Sequence, residues 1–108
     1  MVGIKNIPAP LRKRGLKEKL LKICEENDVV YMAVFGSFVK AEQKKKSDID
    51  ILIKYRNGVK KSLLDLVGLE LKLSRLFGRK VDLGEIEALN KYVKKEILTS
   101  MRVIYEKR

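Results

Sequence analysis

Two aspartates, Asp48 and Asp50, stand one residue apart in the stretch SDIDILIKY, Ser47 to Tyr55. In a strand, alternate residues share a face, so these two carboxylates would lie about 7 Å apart at Cα and could converge on one point. Left bare they repel, and one tends to hold a proton. A divalent cation between them removes the conflict. Magnesium prefers a few carboxylates completed by water and phosphate oxygens, so the pair reads as a metal site finished by a phosphate-bearing ligand. Upstream, an apolar run ends at Gly36-Ser37. Glycine lets backbone come close to a ligand. A serine hydroxyl and the free N–H groups of a helix start can donate to phosphate oxygens. A third acid, Asp82, follows later in the chain. Three carboxylates with two magnesium ions suffice for phosphoryl or nucleotidyl transfer. The chain has no histidine. That removes the commonest general base, the commonest zinc ligand and any Ser-His or Cys-His nucleophile pair. Any catalysis must rest on carboxylates, lysines, hydroxyls or metals.

These residues need elements to hold them. Leu16, Leu20, Ile23 and Cys24 recur at helical spacing, which predicts a helix from about Leu11 to Asn27, with Gly15 unsettling its start. Residues 1 to 10, with Pro8 and Pro10, read as an irregular lead-in. VVYMAVF, Val29 to Phe35, is apolar throughout, as in a strand buried on both faces. Asp48 to Tyr55 alternates as a second strand. If the two are neighbours, Gly36-Ser37 and the aspartates face one cleft. Asn57-Gly58 signals a turn. Ser62 with Asp65 forms a capping box for a helix whose apolar side is Leu63, Leu66, Val67, Leu69, Leu73, Leu76 and Phe77, and Gly78 is placed to stop it. A short strand from Lys80 to Glu85 carries Asp82. A helix from Leu89 to about Thr99, with Leu89, Val93 and Ile97 in register, and a strand from Met101 complete the chain. The order is helix, strand, strand, helix, strand, helix, strand. It predicts a mixed sheet with helices packed on it, in the α/β or α+β class.

The 108 residues argue for one domain, residues 1–108, with no repeat or linker. Composition is 45% hydrophobic and 36% charged, that of a globular chain. No apolar run approaches the roughly 20 residues that span a bilayer, and the N-terminus lacks a signal-peptide core. A cytoplasmic protein without membrane association is expected. The single cysteine, Cys24, reads as a buried core thiol. Lys and Arg number 25 against 14 Asp and Glu, a formal charge of +11. Such an excess points to a polyanionic or acidic partner, or to the Lys- and Glu-rich bias of heat-adapted chains. Aromatics are few and no nucleic-acid-binding signature is present, so direct nucleic-acid binding is not expected.

Gly36, Ser37, Ser47, Asp48 and Asp50 stand at the spacing of the polymerase-β-type nucleotidyltransferases, which this sequence resembles from about Leu16 to Glu106. KVDL, Lys80 to Leu83, is similar to the strand carrying that family's third carboxylate, and the tail EALNKYVKKEILTSMRVIYEK resembles the end of its minimal, stand-alone members. The resemblance implies that Asp48 and Asp50 bind two magnesium ions. Asp82 would bind one and help activate the acceptor hydroxyl. Gly36, Ser37 and Ser47 would form the nucleotide site. The implied reaction moves a nucleoside monophosphate, AMP from ATP, onto an acceptor and releases pyrophosphate. Minimal members pair with helical HEPN-type proteins in toxin–antitoxin modules and act there as antitoxins, some by adenylylating the toxin. A HEPN-type partner is therefore expected, and a homo-oligomer is a second arrangement that could complete the pocket. The alternative is a weak or inactive relative that works by covering its partner. The sequence departs from the pattern at Ala41, where a glycine is usual, and at Phe38, where an arginine is frequent, leaving Lys40 as the nearest cation. Lys44-Lys45-Lys46 is expected on a loop beside the cleft.

Overall fold

The apolar run beginning at Val29 becomes the central strand of a five-stranded sheet. The computed structural model describes residues 2–7, 11–35 and 48–107. Its elements are β1 (Val2–Ile4), α1 (Leu16–Glu26), β2 (Val29–Phe35), β3 (Ile49–Tyr55), α2 (Leu63–Phe77), β4 (Val81–Glu85), a 3-10 turn (Ile86–Ala88), α3 (Lys91–Leu98) and β5 (Arg102–Lys107). Strand order is β1-β5-β2-β3-β4. β3 and β4 are parallel, as a helical crossover through α2 requires, and every other pairing is antiparallel. The mixed sheet with helices is the expected α+β arrangement.

β1 corrects the reading of the first ten residues as wholly irregular. Val2, Gly3 and Ile4 pair with Lys107, Glu106 and Tyr105, and the Lys5 N–H extends the ladder to the Ile104 carbonyl at 2.9 Å. Three residues are too few to show alternation. The open edge of β5 makes them a strand.

The helix boundaries follow local chemistry. Gly15 adopts φ 77° and starts α1 later than Leu11. In that left-handed conformation a side chain is strained. Asn27 closes α1 by donating from Nδ2 to the Ile23 carbonyl at 2.8 Å. The capping box of α2 forms as expected: the Asp65 N–H donates to Ser62 Oγ at 3.2 Å, and the Ser62 N–H donates to Asp65 Oδ2 at 2.8 Å. Those bonds to Ser62 hold the Asp65 carboxyl below its usual range. Gly78 ends α2 at φ 68°.

The main core lies between one sheet face and the pair α1 and α2. Leu16, Leu20 and Cys24 of α1 and Leu69, Leu73 and Phe77 of α2 meet Met32 and Val34 of β2 and Ile49, Ile51 and Ile53 of β3. Cys24 has no exposure, and burial pushes its thiol up to about 12, so it is inert as expected. Ala33, Leu52 and Ile86 are buried outside this cluster, on the other side of the sheet. There the 3-10 turn meets β3, with Glu87 lying 3.9 Å from Lys54 and 3.6 Å from Lys94.

Two apolar assignments differ from expectation. The helical spacing places Leu63 and Val67 on the core-facing side, yet they are exposed, and with Leu64 and Leu71 they form a second apolar stripe on α2. Val93 is also exposed, and no residue of α3 is fully buried. Periodicity finds an apolar stripe but not what covers it.

Candidate active site

The alternation along β3 places its carboxylate. Ile49, Ile51 and Ile53 are fully buried toward the helices, so Asp50, Leu52 and Lys54 point to the opposite face. The parallel register sets Asp50 beside Asp82 and Leu52 beside Gly84. On the other side, the antiparallel register sets Asp50 beside Phe35, the last residue of β2. Asp50 thus stands between Asp82 and the strand that leads into Gly36-Ser37. Neighbouring strands are about 4.8 Å apart, so Asp50 and Asp82 repel across the ladder. Asp48 lies one residue before β3 and is exposed. The Asp50 carboxyl is held above its usual range, first by partial burial, then by Asp82, then by Asp48. That is the like-charge conflict expected from the sequence, with Asp82 the larger electrostatic contributor.

The acids are not gathered into a closed cage. Among the described residues no three acidic, histidine or cysteine side chains form a group ready to hold a metal ion. What the sheet builds is an open carboxylate pair, Asp50 and Asp82, with Asp48 at its rim. Hard carboxylate oxygens with room for water and phosphate suit magnesium, which seldom takes a fully protein-built cage. Gly36, Ser37 and Ser47, together with Phe38, Lys40, Ala41 and Lys44-Lys45-Lys46, lie outside the described residues.

Two residues absent from the sequence reading hold Asp82 in position. β4 is an edge strand, and its outward N–H groups need acceptors. The Val81 N–H donates to Ser74 Oγ at 3.0 Å, and the Leu83 N–H donates to Glu70 Oε2 at 3.0 Å. Ser74 Oγ in turn donates to the Glu70 carbonyl at 2.9 Å. These bonds flank Asp82 on both sides along the chain. At the start of the ladder the Ile49 N–H donates to the Lys80 carbonyl at 2.9 Å. The signal in the sequence was two polar residues, Glu70 and Ser74, on a helix otherwise rich in leucine. Gly84 completes the arrangement. A Cβ there would come within 3.1 Å of Leu52 Cδ2, so glycine lets Leu52 pack beside the carboxylate pair.

Comparison with known proteins decides the family. Residues 18–108 match the family described as polymerase beta, nucleotidyltransferase. The chain belongs to that family. A Methanocaldococcus jannaschii protein, provisionally named a protein adenylyltransferase, is 46% identical over 98 residues, covering 90% of this chain and 93% of its own length. A solved toxin–antitoxin with AMP-PNP superimposes with a TM-score of 0.70 at 20% identity, covering 85% of this chain and 74% of the other. A solved complex of a tri-AMPylated Shewanella oneidensis HEPN toxin with its MNT antitoxin gives a TM-score of 0.62 at 18% identity, covering 87% of this chain and 72% of the other. At these identities the structures establish the shared fold. The nucleotidyltransferase class and the α+β fold expected from Gly36 to Asp82 are both borne out.

Proposed function

We propose that this nucleotidyltransferase transfers AMP from ATP, with magnesium, to a hydroxyl on a partner protein, and that it acts as the antitoxin to a helical HEPN-type toxin. The observation that carries the reading is the register: Asp50 faces Asp82 across a parallel ladder and Phe35 across an antiparallel one. This puts two carboxylates beside the strand end that precedes Gly36-Ser37. Asp48, Asp50 and Asp82 would hold two magnesium ions, which when bound neutralise triphosphate charge and favour departure of pyrophosphate. Gly36, Ser37 and Ser47 would orient the triphosphate. The acceptor oxygen forms a bond to the α-phosphorus while the bond to pyrophosphate breaks. The family resemblance assigns Asp82 the further role of helping to take the acceptor proton. The adenylyltransferase name of the relative and the AMPylated toxin in the structural neighbour support the acceptor class.

Calorimetric titration of ATP, with magnesium and then with EDTA, tests the site. Binding should require the metal and vanish in Asp48→Asn/Asp50→Asn. Equal binding in all conditions would remove the metal assignment. A second reading is a chain of the same fold that works by covering its partner without transfer. A double variant that neutralises the toxin as well as the native chain does would select this second reading.

A further inference from the structure

We propose that α1, the segment leading into it and the end of α2 form a basic trough that binds the phosphodiester backbone of nucleic acid without reading its sequence. The trough lies on the helix-covered side of the sheet, away from Asp50 and Asp82. It consists of two adjoining concavities of about 450 and about 560 Å³ that share Lys13. Lys5, Arg12 and Lys17 line the first, and Lys19, Lys22, Lys72 and Arg75 line the second. Two acids, Glu18 and Glu26, stand among them.

Clustering separates this surface from a general excess of lysine: eight cations line two concavities that adjoin at Lys13. Four cations elsewhere are paired, Arg56 and Lys61 with Asp28, Lys54 and Lys94 with Glu87, while others, such as Lys60 before α2 and Lys91 and Lys95 on α3, line neither concavity. Within the trough, Lys5, Lys17, Lys19, Lys22, Lys72 and Arg75 form no ion pair among the described residues. A heat-adapted surface interleaves both signs in networks; here one sign is collected. Two cations fix the walls. Arg12 Nε donates to the Ile7 carbonyl at 2.9 Å, and Lys13 Nζ donates to the Leu76 carbonyl at 3.5 Å.

The lining favours nucleic acid over an acidic protein. Protein interfaces have an apolar, often aromatic centre and are depleted in lysine. In the second concavity only the half-buried Ile23 and Leu76 are apolar, and neither concavity has an aromatic residue. A phosphate backbone asks only for cations at close spacing. The sequence argued against direct nucleic-acid binding because stacking platforms are missing. That absence bears on base recognition and leaves backbone contact open. The inference does not depend on nucleotidyl transfer.

The test is fluorescence anisotropy of the full chain with labelled RNA and DNA strands of about 20 nucleotides, longer than the whole molecule at about 3.4 Å per nucleotide and so able to cover both concavities, across a salt series. The expected result is binding that weakens with salt. In Lys19→Ser/Lys22→Ser/Lys72→Ser/Arg75→Ser, affinity should fall about tenfold or more, and the salt slope should drop by about 3, at roughly 0.7 per lost phosphate contact on a single strand. Lys60→Ser/Lys91→Ser/Lys95→Ser/Lys107→Ser loses the same charge elsewhere and should keep most of the affinity. Lys19→Ser and Arg75→Ser singly, checked by circular dichroism, guard against misfolding. Equal losses in the two quadruple variants would reduce the effect to net charge and overturn the proposal. So would no binding at low salt, or displacement of RNA by polyglutamate more readily than by unlabelled RNA. The RNA and DNA arms identify which backbone is preferred.

Discussion

At the scale of the residue, Asp50 carries the clearest consequence. Its carboxyl is pushed up by burial and by Asp82 and Asp48. A folded-state pKa above the unfolded value means that ionised Asp50 opposes folding. The cost is full above the folded pKa and disappears as pH falls below the unfolded value, about 3.9. Without metal, Asp50→Asn should therefore raise Tm at pH 7.5 by about 1–3 °C, and the gap to the native chain should close toward about pH 4. Scanning calorimetry across pH checks this; a variant that melts lower at pH 7.5 would show that the carboxylate is stabilised by contacts in the fold. A second residue-scale prediction concerns Tyr105. It has no exposure, and its hydroxyl lacks a hydrogen-bond partner among the described residues. A buried unsatisfied group costs about 1–3 kcal/mol. Tyr105→Phe should therefore stabilise the chain in urea titration by about 1 kcal/mol. A loss of stability would mean that the hydroxyl is satisfied.

At the scale of the element, β4 is held from outside by α2. Ser74→Ala removes the acceptor of the Val81 N–H, and Glu70→Ala removes that of Leu83. Each should cost about 1–2 kcal/mol and speed amide exchange at the corresponding position of β4. Glu70→Gln keeps an acceptor oxygen and should restore slow exchange at Leu83. If exchange along β4 is unchanged in both alanine variants, α2 does not fix Asp82. Gly84→Ala tests the same strand from its other face. Leu52 must move to admit the new methyl, and a cost of about 1 kcal/mol is expected by thermal melting. The two ends of β3 are secured differently. Asp28, at φ 59°, accepts Arg56 at 3.2 Å and Lys61 at 3.1 Å, which ties the turn before β2 to the loop after β3.

At the scale of the whole molecule, charge dominates. A chain at +11 repels itself when folded. The Debye length falls from about 10 Å at 0.1 M salt to about 3 Å at 1 M, so this repulsion is screened first. The exposed pairs contribute little to lose, about 0–1 kcal/mol each. Tm should therefore rise as sodium chloride goes from about 0.05 to 0.5 M, by a few degrees. A fall would show that ion pairs outweigh self-repulsion. No helix among the described residues is long and apolar enough to cross a membrane. The described surface therefore divides into an acidic sheet face around Asp50 and Asp82, a basic trough on α1 and α2, and an apolar stripe at the start of α2.

The sequence by itself determined the elements whose cause is local. A capping box at Ser62, a left-handed stop at Gly78, a continuous apolar run in β2 and an alternation in β3 broken only by the buried Leu52 each depend on neighbours a few residues away, and all stand in the structure. The spacing from Gly36 to Asp50 and the KVDL segment were enough to name the family. Tertiary structure decided whatever needs a distant partner. β1 exists because β5 offers an open edge. Asp82 faces Asp50 because a parallel register aligns strands separated by the whole of α2, and Ser74 and Glu70 keep it there. Leu63 and Val67 match the helical period yet remain uncovered, since a period gives a direction around the helix and not what lies in that direction. The same holds for charge: composition supplied the excess, but only the packing of α1 against α2 and against the segment before it gathered part of it into adjoining concavities.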